Sequence, residues 1–532
     1  MNILAKYKHI FGKILFALFL AIVLVLSVRG LPGNPTPENL NTTKWKDSGP
    51  FELSPERGRF ALLYALVENH SFHLPPAVAQ FTAPDVGYTN GSYVTIFAPS
   101  VSFLAIPGYI LGKYYGAAQF GAYLFLAIFA LFNVFFIRSI AIRLGAHPLA
   151  GAIAGIVFLF ATPSYAYAVT MYEHHVSTFL ILLAAYLLMR FKSAWSLLAI
   201  WILYAFAFTV DYPNLFLMLP IAVTAFFRSG VLKKIQRKVT LSISLPKLLS
   251  VLGVILPLAF LLWVNQQSYN NPMQLSGTIP RVMEVKSNGS PLLMEEFYRE
   301  KLKKVVQTST QQPTETILNF FKPRNMLNGV YILLFSPDRG VIFYTPIILL
   351  GVLGMYFASK KSKPYLAMML GIIGFDLVLY AMWGDPYGGW AFGARYLIPA
   401  YAILAIYIAL LLTYFGRNKF FLLFFFVIFS YSIAVNTLGA VTSNSNPPKV
   451  EAESLSALSG HKESYTYERN INDLNGNLSK SYVFEAYAGN SVSAWNYYIF
   501  LTVFIEVVSA LLIVVYQNSI KNYIYKGGKH AV

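Results

Sequence analysis

Apolar segments long enough to cross a lipid bilayer recur along the whole chain. About twenty apolar residues in a row span the hydrocarbon core as an α-helix. Segments of roughly this length lie at 13–30, 117–137, 148–168, 174–190, 195–210, 212–228, 248–265, 341–358, 364–383, 396–414, 419–438 and 496–517. Because a helix satisfies its own backbone hydrogen bonds in lipid, the sequence predicts an all-α polytopic membrane protein with about twelve transmembrane helices.

The composition supports this class and excludes others. The 532 residues are 56% hydrophobic and 12% charged, and a soluble chain carries about twice that charged fraction. The absence of cysteine excludes disulfides, thiolate metal sites and a cysteine nucleophile. The net charge of +18 comes largely from short loops between apolar segments, so we expect contacts with membrane lipids and no nucleic-acid partner.

The positions of the basic residues predict the orientation in the membrane. They fall in alternate loops and, by the positive-inside rule, are expected in the cytoplasm together with both termini. These residues include Lys6, Lys8, Arg138, Arg143, Arg190, Lys192, Lys234, Arg237, Lys360, Lys361, Arg417, Lys419, Lys521 and Lys529. The long loops 31–116, 266–340 and 439–495 are then external. We expect a multi-span module over 1–438, an external loop or small cap over 439–495, and a last span with a cytoplasmic tail over 496–532.

Two external segments carry local signals of their own. The apolar segment from Tyr93 to Leu111 contains Pro99 and Pro107 and is predicted to be a re-entrant or interface-lying helix. In the loop 439–495, aromatic residues alternate with other residues, which is typical of short strands. They are Tyr465, Tyr467, Tyr482, Phe484 and Tyr487.

The first external loop contains a short helix with an acid in its first turn. Ser54 is a suitable N-cap and Pro55 a suitable first helical residue. Glu56 then lies among free backbone N–H groups at the positive end of the helix, and Arg59 and Phe60 share its face. A capped helix whose acid only complements the helix dipole has the same local sequence, so the choice depends on where this helix lies.

Further acids and bases gather at the predicted external ends of the spans. Together they predict an outward-facing acidic and aromatic cavity at membrane level, and they are Asp85, Glu173, His174, His175, Asp211, Asp338, Arg339, Asp385, Arg395 and Tyr396. Each has a simpler interpretation. Glu173 and the two histidines form a solvated interface cluster, Asp211 caps a turn before Tyr212-Pro213, and Asp338 with Arg339 is a local ion pair. A divalent ion held by Glu173 and His174 is a further alternative.

The order of these motifs resembles the GT-C superfamily of integral membrane glycosyltransferases, and most closely the protein O-mannosyltransferase and lipid A aminoarabinose transferase group. In that group the first external loop opens with Asp-Glu-x-Arg-Tyr-Ala, and here the segment from Glu56 to Ala61 reads Glu-Arg-Gly-Arg-Phe-Ala. Glu56 therefore falls on the position of the catalytic aspartate, with a side chain one methylene longer. Glu173 matches the second acid of the family, and 90–109 looks like its post-loop helix.

The resemblance implies a function and roles for individual residues. A sugar would move from a polyprenyl-phosphate donor to a hydroxyl of a glycan, lipid or protein acceptor, by inverting displacement on the external or periplasmic face of the cell membrane. Glu56 and Glu173 would be the catalytic residues, with Glu56 as the base, and Glu173 or His174 would orient the acceptor. The remaining candidates would bind substrate, with Arg395 and Arg339 on the donor phosphate, and they are Arg59, Asp85, His174, Arg339, Asp385, Arg395 and Tyr396.

Two other classes are compatible with a polytopic chain. A lipid or polysaccharide transporter or flippase predicts broken helices and charges at the bilayer midplane in both halves, whereas this sequence concentrates polar residues at one face. A non-catalytic assembly protein with the same fold would leave Glu56 dispensable. On the transferase hypothesis, Glu56→Gln is expected to leave a folded but nearly inactive protein.

Overall fold

The computed structural model describes residues 3–228, 233–235, 238–240, 244–303, 321–358 and 363–527. The chain is predominantly helical, at 71%. Four of the basic residues predicted to be cytoplasmic lie outside the described residues, and they are Arg237, Lys360, Lys361 and Lys529.

The N-terminal part places one long helix before a mixed external segment and then a second long helix. In chain order its elements are α1 (Ile3–Ser27), α2 (Pro37–Leu40), α3 (Thr43–Lys46), α4 (Ser54–Glu68), α5 (Pro76–Thr82), β1 (Val86–Thr89), β2 (Ser92–Thr95), α6 (Ser100–Tyr114) and α7 (Ala118–Arg143).

The middle part is a series of apolar helices joined by short turns. Its elements are α8 (Pro148–Phe160), α9 (Ser164–Ala168), α10 (His174–Arg190), α11 (Ala194–Val210), α12 (Asn214–Leu217), α13 (Leu219–Arg228), β3 (Lys233–Ile235), β4 (Lys238–Thr240), α14 (Leu245–Leu249) and α15 (Ile255–Tyr269).

The last part alternates external segments with apolar helices. Its elements are β5 (Arg281–Val285), β6 (Pro291–Leu293), α16 (Met294–Lys303), α17 (Met326–Phe335), α18 (Val341–Tyr344), α19 (Leu349–Ala358), α20 (Lys363–Ala381), α21 (Ile398–Phe415), α22 (Lys419–Val441), α23 (Lys449–Ser459), α24 (Glu468–Asn475) and α25 (Ala494–Gly527). A 3₁₀ turn at Arg395–Leu397 leads directly into α21.

In the described part of the chain, five helical stretches are long and apolar enough to cross a membrane. They are Ala118–Arg143, Leu245–Tyr269, Arg395–Phe415, Lys419–Val441 and Ala494–Ile520. Seven shorter apolar helices accompany them, at Phe11–Ser27, Pro148–Phe160, His174–Arg190, Ala194–Val210, Leu219–Arg228, Pro346–Ala358 and Tyr365–Ala381. Each apolar segment of the sequence contains one of these helices. The number that span the bilayer stays a prediction, as do the domain boundaries.

Helix α21 lies at the centre of the bundle and is buried along most of its length. Its neighbours approach closely where they carry glycine. A Cβ atom on Gly354 of α19 would lie 2.2 Å from the Tyr407 carbonyl oxygen, so only a hydrogen at that position permits this distance. The same device joins α6 to α7, because a Cβ on Gly108 would lie 2.4 Å from the Gly121 carbonyl oxygen.

The external segments form a small antiparallel sheet, which corrects the all-α class. The strand order is β2-β1-β5-β6, with Val86 paired to Thr95 on one side and to Val282 on the other. Strand β2 also shortens the helix predicted from Tyr93 to Leu111, since helical structure begins at Ser100. The predicted strands within 439–495 are wrong: the described residues there form α23, α24 and a π-helical turn at Phe484–Ala488.

Candidate active site

A cavity of about 620 Å³ lies where loops from several apolar helices meet. Its wall comes from the start of α4, the turn before α10, the turn after α11, the loop before β5 and the loop between α20 and α21. Most of the wall is apolar and aromatic. Six predicted site residues line it, and they are Arg59, Asp85, Glu173, Asp385, Arg395 and Tyr396. The other three, Glu56, His174 and Arg339, are not part of the lining.

Glu56 lies behind the cavity wall. Helix α4 begins at Ser54 with Leu53 as its N-cap, one residue before the predicted cap. The Leu53 backbone N–H donates to Glu56 Oε2 at 3.2 Å, while Oε1 is buried without a hydrogen-bond partner. Burial raises the pKa of Glu56 to about 7, although the Arg29 guanidinium opposes the shift. The side chain is 0% exposed, so contact with a substrate in the cavity needs a rearrangement of this wall.

Arg59 and Glu173 form an ion pair on the cavity wall. The Arg59 guanidinium pairs with Glu173 Oε2 and lies 5.2 Å from the centre of the Phe97 ring and 5.8 Å from that of Tyr172. Burial, the largest single influence, raises the pKa of Glu173, but the Arg59 charge acts together with His174, a backbone hydrogen bond and Arg395 and holds that pKa below its usual range. Glu173 is therefore a poor proton acceptor near neutral pH.

His174 and Glu173 do not form the alternative metal site. Glu173 Oε1 lies 3.4 Å from His174 Nδ1, and its other oxygen faces Arg59. The His174 ring lies almost parallel to that of Tyr172, with an interplanar angle of 9°. Nowhere in the described ranges do three or more potential ligands gather. The neighbouring His175 faces away, since its Nε2 contacts the Ser164 carbonyl oxygen at 2.7 Å. This donor set does not fit a divalent ion.

Arg395 lines the cavity, and its guanidinium forms no ion pair within the described part of the chain. Its Nη2 donates to the Gly388 carbonyl oxygen at 2.7 Å, while Nε and Nη1 are buried without hydrogen-bond partners. Aromatic rings surround the charge, with the Tyr172 centroid at 5.1 Å and the Tyr396 centroid at 5.3 Å. Gly388 has a φ of +74°, and a Cβ there would lie 3.1 Å from Arg395 Nε. Glycine thus allows the close approach of this backbone to the arginine.

Asp385 does not neutralise Arg395. Its oxygens accept the backbone N–H groups of Tyr387 at 3.1 Å and Gly389 at 2.6 Å. Among the described residues no ion pair joins the Arg395 and Asp385 side chains. An unpaired guanidinium with two free donors in a largely buried wall is suited to an anion.

Arg339 organises this loop instead of facing the cavity, which corrects its predicted contact with substrate. The side chain is 0% exposed. Its N–H groups donate to backbone carbonyl oxygens at 2.7–3.1 Å, those of Asp338, Tyr387, Gly389 and Asn446. With its donors occupied, Arg339 supports the glycine turn next to Arg395.

Asp85 and Tyr396 complete the predicted lining. Asp85 accepts from Arg281 Nη1 at 3.2 Å, which connects the turn before β1 to the start of β5. The Tyr396 ring stacks on Tyr380 of α20 at 4.2 Å and 4°. The Asp85–Arg281 contact connects the cavity wall to the sheet, and the Tyr396–Tyr380 stack connects it to helix α20.

Two acids outside the predicted site residues also take part. Asp211, which the sequence places in the predicted cavity with a turn cap as the simpler interpretation, lines the cavity. Glu52, which the sequence analysis did not single out, is the centre of a buried charge cluster: Arg29 Nη1 lies 2.8 Å and Lys480 Nζ 2.5 Å from its carboxylate oxygens. Its partners come from distant parts of the chain, so the local sequence carries no signal for this cluster. Glu52 lies four residues before Glu56 in the sequence, ahead of α4.

Comparisons with known proteins return only distant structural similarity. No family model matches the chain, and no curated protein matches it. Among solved structures, it is similar to ArnT from Cupriavidus metallidurans in the apo state, with 13% identity, a TM-score of 0.46, and 95% of this chain and 77% of that chain covered. The structure of ArnT from the same organism bound to undecaprenyl phosphate has 11% identity and a TM-score of 0.43, with 94% of this chain and 77% of that chain covered.

A further similarity is to the archaeal oligosaccharyltransferase AglB from Archaeoglobus fulgidus, in complex with an inhibitory peptide and a dolichol-phosphate. There the identity is 15% and the TM-score 0.38, with 95% of this chain and 56% of that chain covered. ArnT is a lipid A aminoarabinose transferase, and ArnT and AglB both have the GT-C fold, which the sequence motifs resemble. Because these TM-scores lie below 0.5, we build the functional proposal on the side chains of the cavity.

Proposed function

We propose that this chain is a membrane glycosyltransferase that moves a sugar from a polyprenyl-phosphate donor to an acceptor hydroxyl at the external face of a cell membrane. The observation that carries the proposal is the Arg395 guanidinium, which lines the cavity with Nε and Nη1 unpartnered beside the carboxyl groups of Glu173 and Asp211. An anion site and carboxyl groups in one cavity are the parts that such a displacement needs.

The remaining wall fits a donor with an apolar tail. Part of the cavity lining is aromatic and aliphatic, and these residues are Phe208, Leu215, Phe216, Phe321 and Trp383. A phosphate at Arg395 would place the sugar between the charged end of the cavity and this apolar wall. The distribution of basic residues supports an external or periplasmic location, since the cavity is at the end of the helices away from the loops predicted to be cytoplasmic.

The alternative function, a lipid or polysaccharide flippase, requires a charged side chain that is accessible at mid-membrane depth. Asp376 is one described acid inside an apolar helix. Its Oδ2 accepts the Ala400 N–H at 3.0 Å, near the first turn of α21, and the side chain is 0% exposed. That contact gives Asp376 a role in helix packing and offers no path for a transported head group.

Purified protein in lipid nanodiscs, supplied with radiolabelled polyprenyl-phosphate sugars and a cell-envelope extract as acceptor, tests the proposal. We expect label to appear in a product from at least one donor, and Arg395→Ala to abolish this transfer. The proposal fails if the wild-type protein transfers none of the sugars. In vesicles, movement of the intact labelled lipid across the bilayer without transfer would establish the flippase function instead.

The catalytic roles of Glu56 and Glu173 stay proposals derived from the sequence. Glu173 reaches the cavity but is paired with Arg59, and Glu56 lies behind the wall. Neither position by itself identifies the group that accepts the proton of the acceptor hydroxyl.

A further inference from the structure

Four carboxyl groups line the cavity, and three have evident partners. They belong to Asp85, Glu173, Asp211 and Asp385. Asp85 pairs with Arg281, Glu173 pairs with Arg59, and Asp385 accepts two backbone N–H groups. Within the described residues, the Asp211 carboxyl group forms no ion pair, and the neighbouring Tyr212 N–H supports its charged form. Of the four, Asp211 is the group free to exchange a proton with a substrate.

Hydrogen bonds hold the Asp211 turn in place. The residue ends α11, with its N–H bonded to the Ala207 carbonyl oxygen at 3.1 Å. Asn214 connects this turn to α10, since its Nδ2 donates to Ser177 Oγ at 2.8 Å and to the Ala207 carbonyl oxygen at 2.9 Å. The Tyr212 hydroxyl lies 2.9 Å from Ser276 Oγ, in the loop before β5. The turn is thus fixed from three sides, which positions the carboxyl group at the cavity wall.

The electrostatic surroundings favour a proton acceptor at this position. The charged and titratable groups facing Asp211 are Glu173 from the turn before α10, Arg59 from α4, Arg395 from the start of α21 and Tyr380 from α20. Burial and the Glu173 charge raise the pKa of Asp211, and the two arginines oppose this shift. The pKa of Glu173 moves in the opposite direction. With a pKa of about 8, Asp211 is ionised and able to accept a proton mainly at and above that pH, where it is a stronger base than Glu173.

We propose that Asp211 is the general base of the transfer, which rests on the proposed function. The acceptor O–H gives its proton to the Asp211 carboxylate while the acceptor oxygen forms a bond to the anomeric carbon of the donor sugar. The bond from that carbon to the phosphate oxygen breaks, and its electron pair leaves with the polyprenyl phosphate. Arg395 binds the additional negative charge that develops on this phosphate. The proton remains on Asp211 until the product leaves and solvent takes it up.

This assignment differs from the one implied by the family resemblance. Glu56 is 0% exposed and absent from the cavity lining, whereas Asp211 is half-buried and lines the cavity. A base must lie within hydrogen-bond reach of the proton that it removes. In this arrangement, Glu56 instead maintains the start of α4 through the Leu53 N–H.

Four variants test the proposal in the full-length protein: Asp211→Asn, Asp211→Glu, Glu56→Gln and Asp473→Asn. Asp473 is the matched control, because burial raises its pKa to about 6 and it lies in α24, outside the cavity lining. Transfer is measured as kcat/KM from pH 5 to 9, donor affinity by titration with a polyprenyl-phosphate sugar, and stability by thermal melting.

We expect Asp211→Asn to lower kcat/KM about 10²- to 10⁴-fold with donor affinity and melting temperature unchanged, since Asn has the shape of the protonated acid. The wild-type rate should fall as pH decreases through the pKa of the base, and this fall should disappear in Asp211→Asn. Asp211→Glu should restore part of the rate. Glu56→Gln should keep the pH-dependent fall, and Asp473→Asn should behave like the wild type.

The inference is overturned if Asp211→Asn retains a rate within about threefold of wild type, or keeps the same acid limb. It is also overturned if the variant loses donor affinity and melting temperature together with activity, because that pattern is the signature of a structural residue. If the wild type transfers sugar and Asp211→Asn transfers it at the same rate, only the assignment of Asp211 as the base is removed. A wild type that transfers no sugar removes the proposed function itself.

Discussion

Replacing Arg395 with alanine tests the anion site directly. In the wild type, one of the guanidinium nitrogens is occupied by the Gly388 carbonyl oxygen, and Nε and Nη1 lack partners. A hydrogen bond to a charged group contributes about 1.5–3 kcal/mol. The loss of one such contact to the donor phosphate is therefore expected to weaken donor binding about ten- to a hundredfold. Arg395→Lys should recover little, because an ammonium group cannot bind two oxygens in a planar fork.

The assay compares donor affinity and thermal stability on the same preparation. Arg143→Ala is the matched control, since Arg143 also contacts a backbone carbonyl, with its Nε 3.0 Å from the Met189 oxygen. Met189 is near the C-terminal end of α10, whereas the cavity lies at the N-terminal end of this helix. The control should bind donor like the wild type. Unchanged donor affinity in Arg395→Ala together with a lower melting temperature would refute the argument and make Arg395 a purely structural residue.

Two further predictions concern the Arg59–Glu173 pair and the orientation in the membrane. Glu173→Gln should lower the free energy of unfolding by about 3–5 kcal/mol, because it leaves the buried Arg59 charge uncompensated. Since the folded-state pKa of Glu173 is lowered, the difference from wild type should be constant above about pH 5 and shrink as pH falls below about 4; a difference that grows in acid would contradict this. In a chain without cysteine, Ser459→Cys should react with an impermeant thiol reagent from outside the cell and Lys234→Cys only after permeabilisation. The reverse labelling pattern would overturn the orientation.

The helices were predictable because their signal is local. An apolar segment of spanning length specifies a helix regardless of its neighbours in space, and each such segment of this sequence contains a helix in the structure. The pairing of β1 with β5 was missed because it is not local: Val86 pairs with Val282, from a distant part of the chain. The β1–β2 hairpin is local, but its second strand was interpreted as the start of an apolar helix. The sequence signal for strands in 439–495 misled because these aromatic rings pack separately: Tyr467 contacts Tyr344, Tyr482 stacks on Phe120, and Phe484 contacts Tyr497.

The sequence by itself determined that acids, arginines and aromatic residues gather at one end of an apolar helical bundle. Charge and hydropathy place each loop at a membrane face, and both are properties of the residues alone. Tertiary structure decided which of these residues share the cavity. Arg339 and Arg395 look alike in sequence, but the carbonyl groups around Arg339 occupy its donors, whereas Arg395 keeps two free. Likewise, Asp211 lines the cavity and Glu56 lies behind its wall. The direction and the partners of a side chain depend on elements that only folding brings together.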